Sequence, residues 1–114
     1  MQTVDWAELP PAITTYLTAH RARDVQTALS TFTGDATVTD EGHTYQGRDK
    51  IRAWLAAAGG GYTFTTEFTG AARAGEAEVD VRQRLEGDFP GGVVDLHYRF
   101  TLDGAAIKRL VIEP

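Results

Sequence analysis

The period of the hydrophobic pattern changes at the glycine triplet of residues 59–61, and this change constrains the fold more than any other feature of the chain. Before the triplet, apolar residues recur at the spacing of amphipathic helices; after it, they alternate with polar residues as in half-buried strands. Helices followed by such strands predict an α+β domain, in which the helices cover one face of an antiparallel sheet. No linker or repeat interrupts the 114 residues, so we expect a single domain over 1–114.

Three helices are predicted before the triplet. Their apolar stripes are Leu9, Ile13, Tyr16, Leu17 and His20 in the first, Val25, Ala28, Leu29 and Phe32 in the second, and Ile51, Trp54, Leu55 and Ala58 in the third. Asp24 is positioned to cap the second helix and Gly34 to end it. The third helix is expected to end at the glycine triplet. A strand over 36–40, which ends in Asp40, separates the second helix from the third.

Four strands are predicted after the triplet, and each has one apolar face. The residues expected to face the helices are Tyr62, Phe64, Thr66 and Phe68 in the first strand, Val79, Val81, Gln83 and Leu85 in the second, and Val94, Leu96, Tyr98, Phe100 and Leu102 in the third. The fourth strand runs over 105–112. Turn sequences separate the strands, and Asp103-Gly104 is typical of a tight hairpin.

Composition and charge exclude several classes of function. The net charge of −5 argues against nucleic acid as a partner, because phosphate binding depends on a basic surface. The absence of cysteine excludes disulfides, thiolate catalysis and cysteine-based zinc sites. No two histidines have the i, i+4 spacing of a helical metal site, so we expect neither a metal nor a cofactor. The first residues lack the features of a signal peptide, and no apolar run is long enough to cross a bilayer. We therefore expect a cytoplasmic protein without a membrane partner.

The order of the elements and one set of residues resemble the nuclear transport factor 2-like superfamily, and within it the SnoaL-like and ketosteroid isomerase-like branch. The residues that carry the resemblance are Tyr16, Arg23-Asp24, Phe32, Asp35-Ala36-Thr37-Val38, Asp40 and Gly47-Arg48-Asp49-Lys50-Ile51-Arg52. The resemblance implies a curved sheet that three helices wrap into a cone, with an apolar cavity open at one end. Members of the superfamily include isomerases, polyketide cyclases, dehydratases, epoxide hydrolases and non-enzymatic binding domains, so the fold by itself selects no activity.

The resemblance also implies roles for particular residues. Tyr16 matches the tyrosine that donates a hydrogen bond to the enolate oxygen in ketosteroid isomerases, and Asp40 matches the aspartate that carries the proton. The second acid of those enzymes aligns with Leu96, whereas Asp95 belongs to the opposite face of the same strand. Two supporting tyrosines of some members align with Phe32 and Leu55, so the steroid isomerase site is incomplete in this sequence.

Simpler interpretations of both candidate catalytic residues stay open. Tyr16 also suits the core, where a buried tyrosine hydroxyl usually finds a partner. Asp40 also suits the start of a turn with Glu41-Gly42. Two histidines are predicted near the cavity: His20 lies at a helix end, where the helix dipole favours a surface cation, and His43 lies in the loop after Asp40, at the cavity mouth.

The leading hypothesis is a cofactor-independent isomerase, cyclase or lyase that acts by proton transfer on a small apolar carbonyl compound. Asp40 would be the general base and Tyr16 the hydrogen-bond donor. The residues expected to contact this small apolar ligand are Phe32, His43, Trp54, Leu55, Phe64, Leu96 and Tyr98. The alternative is a non-catalytic dimeric module that binds a small ligand or a partner protein through the same cone. A third hypothesis is a purely structural dimerisation domain.

The predicted outer face of the sheet carries charges of both signs, namely Glu78, Asp80, Arg82, Arg84, Asp95, His97 and Arg99. Mixed charges on a broad sheet face suit self-association, and the resemblance also implies a dimer formed through the sheet. We therefore expect a homodimer through this face, with His97 outside the cavity.

Overall fold

The computed structural model describes residues 2–57 and 61–114, which form three α-helices, a short 3-10 turn at Trp6–Glu8 and seven strands. Their bounds in chain order are β1 Gln2–Val4, α1 Pro11–Arg21, α2 Val25–Ser30, β2 Phe32–Asp40, β3 His43–Gln46, α3 Arg48–Ala57, β4 Phe64–Ala74, β5 Glu78–Gly87, β6 Val93–Asp103 and β7 Ala106–Glu113. The predicted end of the third helix, at Ala58 and the first two glycines of the triplet, lies outside the described residues.

The seven strands form one curved, unclosed sheet in the order β1-β4-β5-β6-β7-β2-β3. All neighbouring strands are antiparallel except β2 and β7, which run parallel. The predicted α+β class is confirmed. The parallel pairing of β2 and β7 was not predicted. Alternation along a strand reports which face is buried but not which strand lies beside it, so the pattern contained no signal for this pair.

The second helix ends at Ser30, before the predicted end at Gly34, which lies in β2. As predicted, Asp24 caps the helix by accepting a hydrogen bond from the Thr27 backbone N–H at 3.2 Å. The assignment of Phe32 to this helix was wrong, because Phe32 begins β2. At the junction, Ile107 N–H donates to the Thr31 carbonyl at 2.8 Å, so pairing with β7 takes over where the helix stops.

Asp40 is followed by the predicted turn at Glu41-Gly42, but residues 43–46 form β3 rather than the predicted loop. Glu41 and Gly42 have positive φ angles of 53° and 78°, which is the conformation of a two-residue hairpin turn. Asp40 consequently pairs with His43 in the β2–β3 hairpin, and the His43 side chain is exposed.

The residues of the Gly47-Arg48 motif tie α3 to β2. Gly47 has a φ of 85°, which favours glycine, and its N–H donates to the Ala36 carbonyl at 2.9 Å. The guanidinium of Arg48 donates to the Phe32 carbonyl at 2.8 Å. These two bonds set the start of α3 against the sheet and thereby position Trp54 further along the helix.

The core lies between the helices and the inner face of the sheet, and the predicted alternation in β5 and β6 is confirmed. Its largest fully buried side chains are Tyr16, Phe32, Phe100, Ile13, Ile51, Ile107, Leu110, Val38 and Val81. In β4 the alternation is interrupted between Phe68 and Gly70, where the register against β5 shifts. Such a bulge adds one residue to a strand and bends it, which suits a curved sheet.

The outer face of the sheet carries ion pairs across neighbouring strands. Arg84 Nε donates to Asp95 Oδ1 at 2.9 Å, and Arg99 Nε donates to Glu113 Oε2 at 2.7 Å. His97 Nδ1 lies 3.0 Å from Asp80 Oδ2, so His97 is outside the core side of the sheet, as predicted. Within the described part of the chain, no helix is long and apolar enough to cross a bilayer.

Candidate active site

A cavity of about 690 Å³ lies between α1, α3 and the inner face of β4–β7. This volume is in the range of sites for small organic molecules. Five of the predicted site residues line it, namely Asp40, Trp54, Phe64, Leu96 and Tyr98. The other four, Tyr16, Phe32, Leu55 and His43, are not part of its lining.

The strand register places the polar groups of the sheet wall. Asp40 pairs with Ile112 across β2 and β7, and Ile112 pairs with Tyr98 across β7 and β6. The three residues therefore form one row across the inner face. With strands about 4.8 Å apart, the Cα atoms of Asp40 and Tyr98 are about 10 Å apart, with Ile112 between them.

Asp40 is both a turn-flanking residue and a cavity residue. It ends β2 immediately before the Glu41-Gly42 turn, and its half-buried side chain lines the cavity. Its Oδ2 accepts a hydrogen bond from the Trp54 indole Nε1–H at 3.1 Å. A hydrogen bond to a carboxylate is stronger than one between neutral groups, so Trp54 holds the carboxylate in one orientation.

His20 is the middle ring of an aromatic stack beside this carboxylate. Its ring lies nearly parallel to that of Tyr16, with centroids 5.5 Å apart, and to that of Trp54, with centroids 5.7 Å apart. Burial lowers the pKa of His20 below its usual value, an effect that the charge of Asp40 opposes and that of Arg23 reinforces. The surface role predicted from the helix dipole was wrong, because the His20 ring is half-buried between Tyr16 and Trp54 and lines the cavity.

Tyr98 and Gln83 are the inner polar groups on the sheet side. Tyr98 is 4% exposed and Gln83 is 8% exposed, and both line the cavity. Burial raises the pKa of Tyr98 to about 12, although the neighbouring Gln83 side chain offsets part of the rise. The Tyr98 hydroxyl is therefore protonated at neutral pH and able to donate a hydrogen bond to a ligand.

Tyr16 is buried beside the cavity rather than in its lining. Its side chain is 0% exposed, and its hydroxyl has no hydrogen-bond partner among the described residues. Burial raises the pKa of Tyr16 well above its usual value, and the nearby Tyr98 and Asp40 add to the rise. An orphaned buried hydroxyl is uncommon, since a buried polar group normally finds a partner.

The remaining predicted residues fall into two groups. Phe32 and Leu55 are core residues, and the Phe32 ring meets the Tyr16 ring edge-on at 5.5 Å. Leu96 lines the cavity at the position of the expected second acid, whereas Asp95 faces the other way and pairs with Arg84, as its position in the strand predicted. Within residues 2–57 and 61–114, no cluster of three metal-ligating side chains occurs.

The sequence placed His20 near the cavity but favoured a surface role for it, and Gln83 was absent from the predicted site. The i, i+4 spacing of Tyr16 and His20 places both on one helix face, which was a usable signal for their stacking. Gln83 occupied a core-facing position among apolar residues of β5, and a polar residue at such a position is often functional.

The sequence matches the model of the SnoaL-like domain over residues 13–110. This match extends over most of the chain. The chain belongs to the SnoaL-like family. No curated protein matches it. A candidate polyketide cyclase from Sinorhizobium meliloti is 33% identical, with 96% of this chain and 100% of that chain covered and a TM-score of 0.88.

Two more distant structures share the fold of this SnoaL-like protein. One is a protein with a ketosteroid isomerase-like fold from Catenulispora acidiphila, solved with trimethylamine: identity is 22%, coverage 92% of this chain and 85% of that chain, and the TM-score 0.79. The other is the Δ5-3-ketosteroid isomerase from Mycobacterium sp., with 16% identity, 90% of this chain and 89% of that chain covered, and a TM-score of 0.73. The nuclear transport factor 2-like cone expected from the sequence is thus confirmed.

Proposed function

We propose that this SnoaL-like protein is a cofactor-independent enzyme that transfers a proton on a small apolar carbonyl compound, with Asp40 as general base. The observation that supports this most strongly is the Asp40 carboxylate at a cavity of about 690 Å³, oriented by the Trp54 indole at 3.1 Å. A positioned carboxylate beside an apolar ligand can remove a proton from the carbon next to a carbonyl group.

Tyr98 and Tyr16 supply the hydrogen-bond donors in this proposal. Tyr98 shares a row of the sheet with Asp40, and Ile112 lies between them. A carbonyl group bound over Ile112 would have the base on one side and the Tyr98 hydroxyl on the other. The unpartnered Tyr16 hydroxyl, buried close to both, is available to complete the donor set when negative charge develops on the ligand oxygen.

Exchange of α-hydrogens for solvent deuterium tests this function without knowledge of the natural substrate. Small ketones such as β-tetralone would be followed by proton NMR in heavy water, with and without the protein. We expect the wild type to accelerate exchange and Asp40→Asn to lower the acceleration by about 10² to 10⁴-fold. The asparagine oxygen still accepts from Trp54, so the variant changes basicity more than structure.

Asp35 provides the matched control. It is an exposed aspartate on the same strand, where it accepts a hydrogen bond from Thr33 at 3.0 Å. Asp35→Asn should leave exchange unchanged. Equal exchange rates in Asp40→Asn and wild type would remove Asp40 from the mechanism, and no acceleration with any ketone that binds would remove the enzymatic proposal.

The second candidate is a non-catalytic binding module, which Leu96 favours because it puts an apolar side chain where a second acid would stand. In that case apolar ketones bind to wild type and to Asp40→Asn with similar affinity, and neither protein accelerates exchange. Binding measured by calorimetry beside the exchange assay separates the two candidates.

We also propose a homodimer formed through the outer face of the sheet. The Arg84–Asp95 pair belongs to a row of alternating charges on this face, which a second copy can complement. Sedimentation equilibrium of the wild type should give twice the chain mass. Arg84→Glu should shift the protein towards the monomer, because a glutamate there repels Asp95 and breaks the row of alternating charges. A monomeric wild type would contradict the proposal.

A further inference from the structure

His20 is a half-buried polar side chain on the helix side of the cavity. The helices contribute Leu17, His20 and Trp54 to the lining, with Arg21 exposed at the rim. The other inner polar groups belong to the sheet and are Asp40, Thr66, Gln83 and Tyr98. The Trp54 indole N–H already donates to Asp40, so His20 is the one described group on the helix side that remains free to hydrogen-bond to a ligand inside the cavity.

The ring of His20 has a defined plane and free edges. Stacking at 11° against Tyr16 and at 11° against Trp54 fixes the plane, so the ring nitrogens lie at the edge of the stack. Neither nitrogen hydrogen-bonds to a described residue. Because burial lowers its pKa, the imidazole is neutral at pH 7 and has one N–H donor and one acceptor nitrogen.

A donor and an acceptor without partners in an apolar wall are costly to bury, so a ligand group that satisfies them gains affinity. A hydroxyl group both donates and accepts, which matches a neutral imidazole. The reacting carbonyl cannot also hydrogen-bond to His20, because in the proposed function it lies between Asp40 and Tyr98 on the sheet.

We infer that His20 is a ligand-binding residue, and that the substrate is a carbonyl compound carrying a second oxygen function, a hydroxyl group, on the side that faces α1. The carbonyl part of this inference rests on the proposed function. Hydrogen bonding of the hydroxyl group to His20 does not depend on proton transfer, so binding can be measured separately from exchange.

The test compares the affinities of β-tetralone and its ring-hydroxylated isomers by calorimetry. We expect at least one hydroxylated isomer to bind the wild type roughly tenfold more tightly than β-tetralone. His20→Phe keeps a ring between Tyr16 and Trp54 but removes both nitrogens, and should abolish this preference. His43→Phe removes an exposed histidine outside the cavity and should retain it.

Further variants keep the inference falsifiable if His20→Phe does not fold. His20→Gln retains a donor and an acceptor and should keep part of the preference, whereas His20→Leu should lose it. The inference is overturned if no isomer binds better than β-tetralone, or if the preference survives in both His20→Phe and His20→Leu.

The exchange assay distinguishes this inference from the proposed function. Preference for a hydroxylated isomer that depends on His20, without any exchange, leaves the ligand-binding role of His20 in place and rejects the enzymatic proposal. Exchange that depends on Asp40, with no preference for a hydroxyl group, supports the enzyme and overturns the inference about His20.

Discussion

Removing the hydroxyl of Tyr16 should stabilise the protein. The side chain is 0% exposed, and the hydroxyl has no partner among the described residues. An unsatisfied buried polar group costs about 1–3 kcal/mol. Tyr16→Phe removes that group but keeps the ring, including its edge-on contacts with Phe32 and Phe100 at 5.5 and 5.8 Å. The free energy of unfolding should therefore rise by about 1–3 kcal/mol.

Urea unfolding followed by far-ultraviolet circular dichroism measures this change. We expect a higher midpoint for Tyr16→Phe with an unchanged dependence on urea concentration. The thermal midpoint should rise by about 4 °C for each kcal/mol. Tyr98→Phe is the matched control: Tyr98 lines the cavity beside Gln83 and its hydroxyl is not an orphaned buried group among the described residues, so its removal should not raise stability.

A loss of stability in Tyr16→Phe would contradict this prediction, because it would mean that the hydroxyl has a partner in the folded protein. The exchange assay on the same variant then tests whether the Tyr16 hydroxyl contributes to activity. A variant that is more stable but slower in exchange would show that the unpaired donor serves the ligand. A variant that is more stable and equally active would leave Tyr16 as a core residue.

Four substitutions, at His20, Tyr98, Gly87 and Gly34, test other parts of the structure by urea unfolding. Burial lowers the pKa of His20 in the folded protein, so the unfolded chain protonates this imidazole at a higher pH than the folded chain does. The wild type should therefore lose stability relative to His20→Phe as the pH falls below about 6.5. Burial raises the pKa of Tyr98 to about 12, so stability should fall as the pH rises from about 10 towards that value, by up to about 1.4 kcal/mol per pH unit more than in Tyr98→Phe. Gly87→Ala should destabilise the protein by about 2 kcal/mol or more, because its Cβ would overlap the Thr63 carbonyl oxygen. Gly34→Ala, which has open space and no positive φ, should be neutral or stabilising by up to about 1 kcal/mol.

Local periodicity was sufficient to predict most of the elements. The helical spacing of Ile13, Tyr16 and Leu17 buried one face of α1, and alternation along β6 separated Leu96 from Asp95. Both patterns follow from backbone geometry that repeats every few residues, so they can be recognised in the sequence without knowledge of the neighbours. Alternation also puts Asp40 on the same face of β2 as Ala36 and Val38, and Asp40 lines the cavity from that face.

Boundaries and short strands were less predictable. Phe32 continued the apolar stripe of the second helix, but pairing with Ile107 of β7, far along the chain, placed it in the sheet. The hairpin of β2 and β3 depends on left-handed conformations at Glu41 and Gly42, and Glu41 is not a residue that signals such a turn.

Local patterns in the chain are enough to establish the fold class, the faces of the helices and strands, and the residue types available for proton transfer. Which of these residues meet depends on the tertiary structure. It stacked His20 between Tyr16 and Trp54, turned the indole towards Asp40, set Tyr98 in the same row and left the Tyr16 hydroxyl without a partner. These relations join α1, α3, β2, β6 and β7, whose mutual placement results from burying apolar surface between distant segments. That burial has no short-range signature in the chain.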